Sequence, residues 1–481
     1  MNRFILIILS LQFLFPLALS SNAEDLKYLV FNFDRNITLK EQFTPSEFYE
    51  KLFYNQIYVK MKVGSKKQEI PFYLYLRQHS LIIQSANSKN GQVKGIFNEL
   101  ESDSYKFIKN QSFYDKLNDY DADDLGIAYI SEDNFYFDSS KNSIMKFYLS
   151  IENYDAAHIT EGGKIGLDFD SSDIIVDKNM NFVYYLAEKK YISSYNFSIL
   201  YDSNIFNEYK GKLYIGADPH KILNIAIDNQ DLKTAYRAQH EWAFLFNDIF
   251  FDDKIIQQGA VAQLYPEFGF ISGHANFFNE LKKSPRWSEY FNKTKKCHTH
   301  SFYIKDFESY EFYRFSSLFT GYYCDKDVDI NDITPENITF RSIDLEYDFV
   351  LNRNDIWIEK NGYKYFLILS AALEQVDWIF GAPFFKKYQL TFNLDSKQIG
   401  VYTNINFNKK EKPEESSNQY IIYICIIAGL VVLSGMLSFF LIRLYVYLPR
   451  KKRANELLDD DFEYKTNENQ DNKIVPDDEN K

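Results

Sequence analysis

Residues 54–85, YNQIYVKMKVGSKKQEIPFYLYLRQHSLIIQS, constrain the fold of this chain more than any other stretch. Two apolar runs rich in β-branched and aromatic residues flank the turn Gly64-Ser65-Lys66-Lys67, the pattern of a β-hairpin. A polar loop, Leu76-Arg77-Gln78-His79-Ser80, then leads to a further apolar piece, Leu81-Ile82-Ile83. Between Pro71 and Asn98 there is no Asp or Glu at all.

A related order recurs later. Residues 242–256, WAFLFNDIFFDDKII, alternate and turn at Asp252-Asp253, predicting a second hairpin. The loop that follows reads GAVAQLYPEFGF from Gly259 to Phe270, and a helix is expected over 276–283. Two apolar-apolar-Gly pieces also occur: Lys164-Ile165-Gly166, where a lysine takes one apolar position, and Ile379-Phe380-Gly381. Glycine at such a place signals close passage of another backbone. Residues 181–192 carry apolar side chains at helical spacing, and strands are expected at 197–201, 338–340 and 345–350.

Two longer motifs carry a family resemblance. One is Gly211-Lys-Leu-Tyr-Ile-Gly-Ala-Asp-Pro219, after a helix and a strand; the other runs from Val376-Asp-Trp-Ile-Phe-Gly through Lys387-Tyr388 to Gln398-Ile-Gly-Val-Tyr402. Together with the two hairpin-loop units, over about residues 53–402, they resemble the pepsin-like aspartic proteases. The resemblance implies an all-β fold with a few short helices, in two lobes (about 50–225 and 226–405) meeting at a deep cleft. It places the first catalytic aspartate at Arg77, or at Tyr75 counting back from Leu81. It places the second at Gln263, or at Tyr265 counting back from Phe270-Ile271-Ser272-Gly273. In either register neither position holds a carboxylate, and Glu267 is the one acid close by. The hairpin expected over 118–138 falls where the family has its flap, with Tyr120 near the flap tyrosine. Cys297 and Cys324 match the spacing of the family's disulfide in the second lobe, worth roughly 3 kcal/mol by loop closure.

Both ends of the chain carry topogenic signals. Arg3 and the apolar run 4–19, ending in small residues, read as a signal peptide cleaved after Ser20 or Ala23. The luminal part is expected to span 24–405, followed by a polar linker at 406–420. Residues 421–442 are apolar or small and long enough to span a bilayer. Arg443 and the basic cluster 450–453 then put the acidic tail, 443–481, in the cytosol. The expectation is a single-pass type I membrane protein of the secretory pathway, cell surface or a lysosome-like compartment. Sequons at Asn36, Asn110, Asn196, Asn292 and Asn337 agree with a luminal location. Of the three cysteines, Cys297 and Cys324 are free to pair, because Cys425 lies in the membrane segment.

Composition bounds the function. A net charge of −13 without a basic stripe argues against nucleic acid. The 38 Tyr and 44 Phe read first as codon bias, and only weakly as a binding surface. An aspartic protease needs two carboxylates sharing one proton around a water. Arginine cannot accept that proton, and Tyr or Gln offers no suitable titration. His79-Ser80 are neighbours facing opposite ways along a strand, with no third partner. His298 and His300, beside a disulfide-bonded Cys297, make a weak metal set. No metal and no cofactor is expected. Three readings follow: an inactive homologue whose cleft takes an extended peptide as an added strand, a working endopeptidase of an acidic compartment, or a non-enzymatic surface or scaffold protein.

Overall fold

The structure, a computed structural model, describes residues 26–35, 43–54, 57–76, 78–87, 96–109, 127–137, 141–152, 162–168, 178–202, 210–228, 230–238, 242–303, 315–373, 378–405, 407, 430, 433–441 and 443. The chain divides into two units, residues 1–408 and 409–481. The first is mostly β and holds two large sheets, one of 13 strands and one of 10.

The expected hairpin is present. Strand Ile57–Val63 turns at Gly64 into strand Gln68–Tyr75, with Met61 opposite Ile70 and Val59 opposite Phe72. Alternation dictates the burial: Ile57, Val59, Met61 and Val63 point into the core and Lys60 and Lys62 point out. Gly64 and Lys67 both have positive φ, which lets the turn close. The second hairpin pairs Ala243–Phe251 with Lys254–Leu264 and turns at Asp252, also at positive φ.

Each half contains a crossing. Strand Gly163–Gly166 runs between Gln68–Tyr75, its parallel neighbour, and Leu81–Gln84, its antiparallel one. Strand Trp378–Phe380 runs in the same way between Lys254–Leu264 and Ile271–Gly273. The loops 75–81 and 265–271 therefore close around a strand that threads beside them. Room is the constraint. A Cβ on Gly166 would lie 2.3 Å from the Gln78 carbonyl oxygen, and one on Gly381 would lie 2.1 Å from that of Phe270.

The first sheet draws on both ends of the chain. Strands Leu232–Tyr236, Gln389–Asn393 and Gln398–Tyr402 join it, Leu390 pairing with Ile199. A division at about residue 225 thus separates the two hairpin units but not the two sheets. Aromatic residues fill the core more than they coat the surface: Phe380 packs against Phe384 at 4.3 Å and Phe340 at 4.9 Å between ring centres. Cys297 faces Cys324 across antiparallel strands and is disulfide-bonded to it.

The described residues 26–35 and 43–54 hold two elements. Strand Leu29–Arg35 lies between Gly211–Ile215 and Ile57–Val63, and a helix spans Pro45–Tyr54. Among the described residues no helix is long and apolar enough to cross a membrane. The expected signal peptide 1–23 lies outside the described residues, and so does most of the expected span 421–442, of which 430 and 433–441 are described as helical.

Of the sequons, Asn36 and Asn110 lie outside the described residues. Asn292 is exposed and Asn337 half-buried at a strand start. Asn196 is unsuited to carry a glycan: it begins a strand paired on both sides, its amide donates to Asp218 at 2.7 Å, and Ser198 of its sequon is wholly buried.

Two predictions follow from this packing. Gly381→Ala should destabilise the chain by about 3 kcal/mol or more, since backbone rather than a flexible side chain must give way; urea unfolding measures it, and a change under about 0.5 kcal/mol would contradict the crossing. In cells that glycosylate the chain, Asn292→Gln should increase electrophoretic mobility on a gel, whereas Asn196→Gln should leave it unchanged.

Candidate functional site

The crossings allow a residue-by-residue correspondence between the two halves. Leu74 faces Ile165 as Leu264 faces Phe380, and Leu81 faces Ile165 as Ile271 faces Phe380. Both ends of each loop are thereby fixed, and the loops have equal length. Tyr75 then corresponds to Tyr265, Leu76 to Pro266, Gln78 to Phe268 and Ser80 to Phe270. Gln263 corresponds to Tyr73, since Gln263 faces Ile379 as Tyr73 faces Lys164. Position 77, by count the counterpart of Glu267, lies outside the described residues. Arg77 and Gln263 are therefore not counterparts; of the two registers considered, only Tyr75 with Tyr265 respects the repeat.

Both tyrosines are held where the loops leave their strands. Tyr75 is buried; its carbonyl accepts from Leu167 N–H at 2.8 Å, and Lys164 Nζ stands 5.2 Å from its ring centre. Tyr265 N–H donates to the Phe380 carbonyl at 2.9 Å, and its hydroxyl donates to Gln263 Oε1 at 2.8 Å. Its ring meets Phe268 edge-on at 5.4 Å. Glu267 is 0% exposed. A phenol at acid or neutral pH is a hydrogen-bond donor, not a proton acceptor. Neither Tyr75 nor Tyr265 supplies the carboxylate that an aspartic dyad requires.

The loops are braced by residues whose roles the sequence did not announce. Asn181 Nδ2 donates to the carbonyls of His79 at 2.9 Å and Asp168 at 2.8 Å, while its Oδ1 caps helix Phe182–Glu188 through Tyr184 N–H. Asn at a helix start was the available signal. Tyr201 Oη donates to the Pro266 carbonyl at 2.6 Å. Trp242 Nε1 donates to the Leu167 carbonyl at 3.1 Å, and the Trp242 carbonyl accepts from Leu264 N–H at 2.9 Å, tying the two halves together. Beside them Arg237 and Asp168, each side chain 4% exposed, form a 2.7 Å ion pair under the Trp242 ring.

Other expected candidates fare as follows. His79 is buried, and Ser80 Oγ is buried without a hydrogen-bond partner among the described residues, so the pair does not form a charge relay. His298 Nε2 lies 3.8 Å from Asp325 Oδ1. Among the described residues no group of three His, Cys, Asp or Glu side chains is placed to hold a metal ion. Tyr120 lies outside the described residues; of the hairpin expected over 118–138, Ile127–Tyr136 is a single strand that pairs with Lys106–Lys109 and Asn142–Glu152, both outside that range.

Helix Pro45–Tyr54 is among the elements that sequence reading missed. Thr44 and Glu47 form a capping box: Thr44 N–H donates to Glu47 Oε2 at 2.8 Å and Glu47 N–H to Thr44 Oγ1 at 3.3 Å. Pro45 starts the helix, so the signal Thr-Pro-Ser-Glu was legible. Leu52, near its end, accepts a 2.9 Å hydrogen bond from Gly269 N–H, inside the second crossing loop.

A buried histidine, His220, lies in the short helix Pro219–Ile222 and meets Tyr402 of the first sheet. His220 is buried, with Nδ1 2.8 Å from the Tyr402 hydroxyl. Burial holds its pKa below the ordinary histidine value; nearby Asp218 opposes that shift and Lys221 adds to it. The unfolded chain therefore takes up this proton first. The stability His220 contributes is full above the ordinary value, near 6.5, and is lost as pH falls. His220→Gln should flatten the fall in thermal stability between about pH 7 and pH 5; an unchanged slope would mean that His220 is not the group responsible.

The sequence matches no known protein family and no curated protein at a significant level.

Proposed function

We propose that this chain is a catalytically inactive homologue of the pepsin-like aspartic proteases. It is bilobal and held on the luminal side of a membrane by a single C-terminal span. The observation that carries the reading is that Tyr75 and Tyr265 occupy equivalent positions at the exits of the two crossing loops. Two loops threaded by apolar-Gly strands are what such a scaffold needs to aim a pair of groups at one point. In this reading those groups are phenols, which do not share a proton as two carboxylates do. An extended peptide or protein segment, added as a strand, is the ligand class the groove would take.

A second reading, a scaffold whose groove is filled from within, is favoured by the helix Pro45–Tyr54, whose end lies on the loop carrying Tyr265.

The test is peptide hydrolysis by the full chain between about pH 3 and pH 7, the range where a carboxylate dyad works, with and without pepstatin. No cleavage above the buffer rate is expected. Pepstatin-sensitive cleavage would establish a working endopeptidase and end this reading.

A further inference from the structure

The helix Pro45–Tyr54 belongs to one sheet by connection and to the other by packing. Arg35 and Ile57, on either side of the segment, face each other across adjacent strands of the first sheet. The chain thus leaves that sheet and returns to the same place. Between, its buried face is set on the second sheet. Phe48 stacks on Tyr365 at 4.0 Å, and Tyr49 stacks on Phe302 at 6.2 Å. Tyr49 Oη donates to the Tyr322 carbonyl at 2.5 Å, with the Phe366 carbonyl at 3.3 Å. Tyr322 and Phe366 are partners where the register between strands Phe315–Asp325 and Tyr363–Leu373 shifts. Gly321 leaves the room: a Cβ there would come within 2.5 Å of the Tyr49 ring. Phe48, Tyr49 and Leu52 are at most 1% exposed.

We propose that this helix is an internal clasp. Flanked on both sides by strands of the first sheet, it docks on the second and holds loop 265–270 through the Leu52–Gly269 bond. The inference rests on the reading of this chain as an inactive pepsin-like scaffold with a peptide-sized groove. Its docking face has the order Phe-Tyr-x-x-Leu, with two aromatics and an aliphatic residue one turn on. The resident ligand of the second half is therefore an aromatic helix of the chain itself.

Residue-resolved hydrogen exchange on the full chain tests this. Tyr49→Phe keeps the ring and removes the phenol bond. The amides of the helix and of Gly269 should lose protection together, by about 5-fold, while those of Ile57–Val63 and Gln389–Asn393 hold theirs. If Gly269 stays protected while the helix opens, or if all four regions change together, there is no separable clasp. A second arm uses Phe48→Ala/Leu52→Ala and a synthetic peptide of residues 43–54. The peptide should bind this variant and restore protection at Gly269, and should not bind the wild type. Binding to both or to neither overturns the proposal. Cleavage activity is measured separately, so an active enzyme would refute the inactive reading without bearing on the exchange result.

Discussion

A backbone passing through a loop too tight for a methyl group is the constraint on which the rest of this architecture turns. At Gly166 and at Gly381 the threading strand runs against the carbonyls of the loop beside it. Once two such crossings form, loop length, strand register and the direction in which each loop leaves its strand are all fixed. Leu74 and Leu264 become equivalent, and so do Tyr75 and Tyr265. The chemistry of the centre then depends on which side chains the sequence supplies at those two places. It supplies two phenols.

Hydrogen bonds and an ion pair tie the two loops to their surroundings. Asn181 satisfies two carbonyls of the first loop region and caps a helix with the same side chain. Tyr201, Trp242 and the Arg237–Asp168 pair join elements distant in sequence. A buried ion pair of this kind adds little net stability over an apolar pair, but losing one partner leaves an uncompensated charge.

The aromatic abundance has a physical use that composition did not disclose. Phe380, Phe384, Phe340 and Phe246 interlock around the second crossing. Phe48 and Tyr49 extend the same kind of packing outward onto the second sheet. Aromatic rings bury large area with few torsions to fix, so they suit a core that must surround irregular loops.

Much of the fold was legible along the chain. Alternation marked both hairpins, Asp252 marked the second turn, and the apolar-Gly pieces marked both crossings. Periodicity is a local property, set by where successive Cβ atoms point, so sequence carries it directly. The lack of a carboxylate in the first loop was equally plain. Register was not, because counting from Gly259 or from Gly273 gives different answers for the second loop. Only the pairing of Leu264 with Phe380 and of Ile271 with Phe380 chooses between them. The destination of Phe48 and Tyr49 was likewise hidden: a capping box announces a helix but says nothing of the distant sheet against which its aromatic face is buried. Sequence determined which residues are present and how they alternate; tertiary structure alone decided which of them meet, because contacts between remote segments depend on the path of the whole chain.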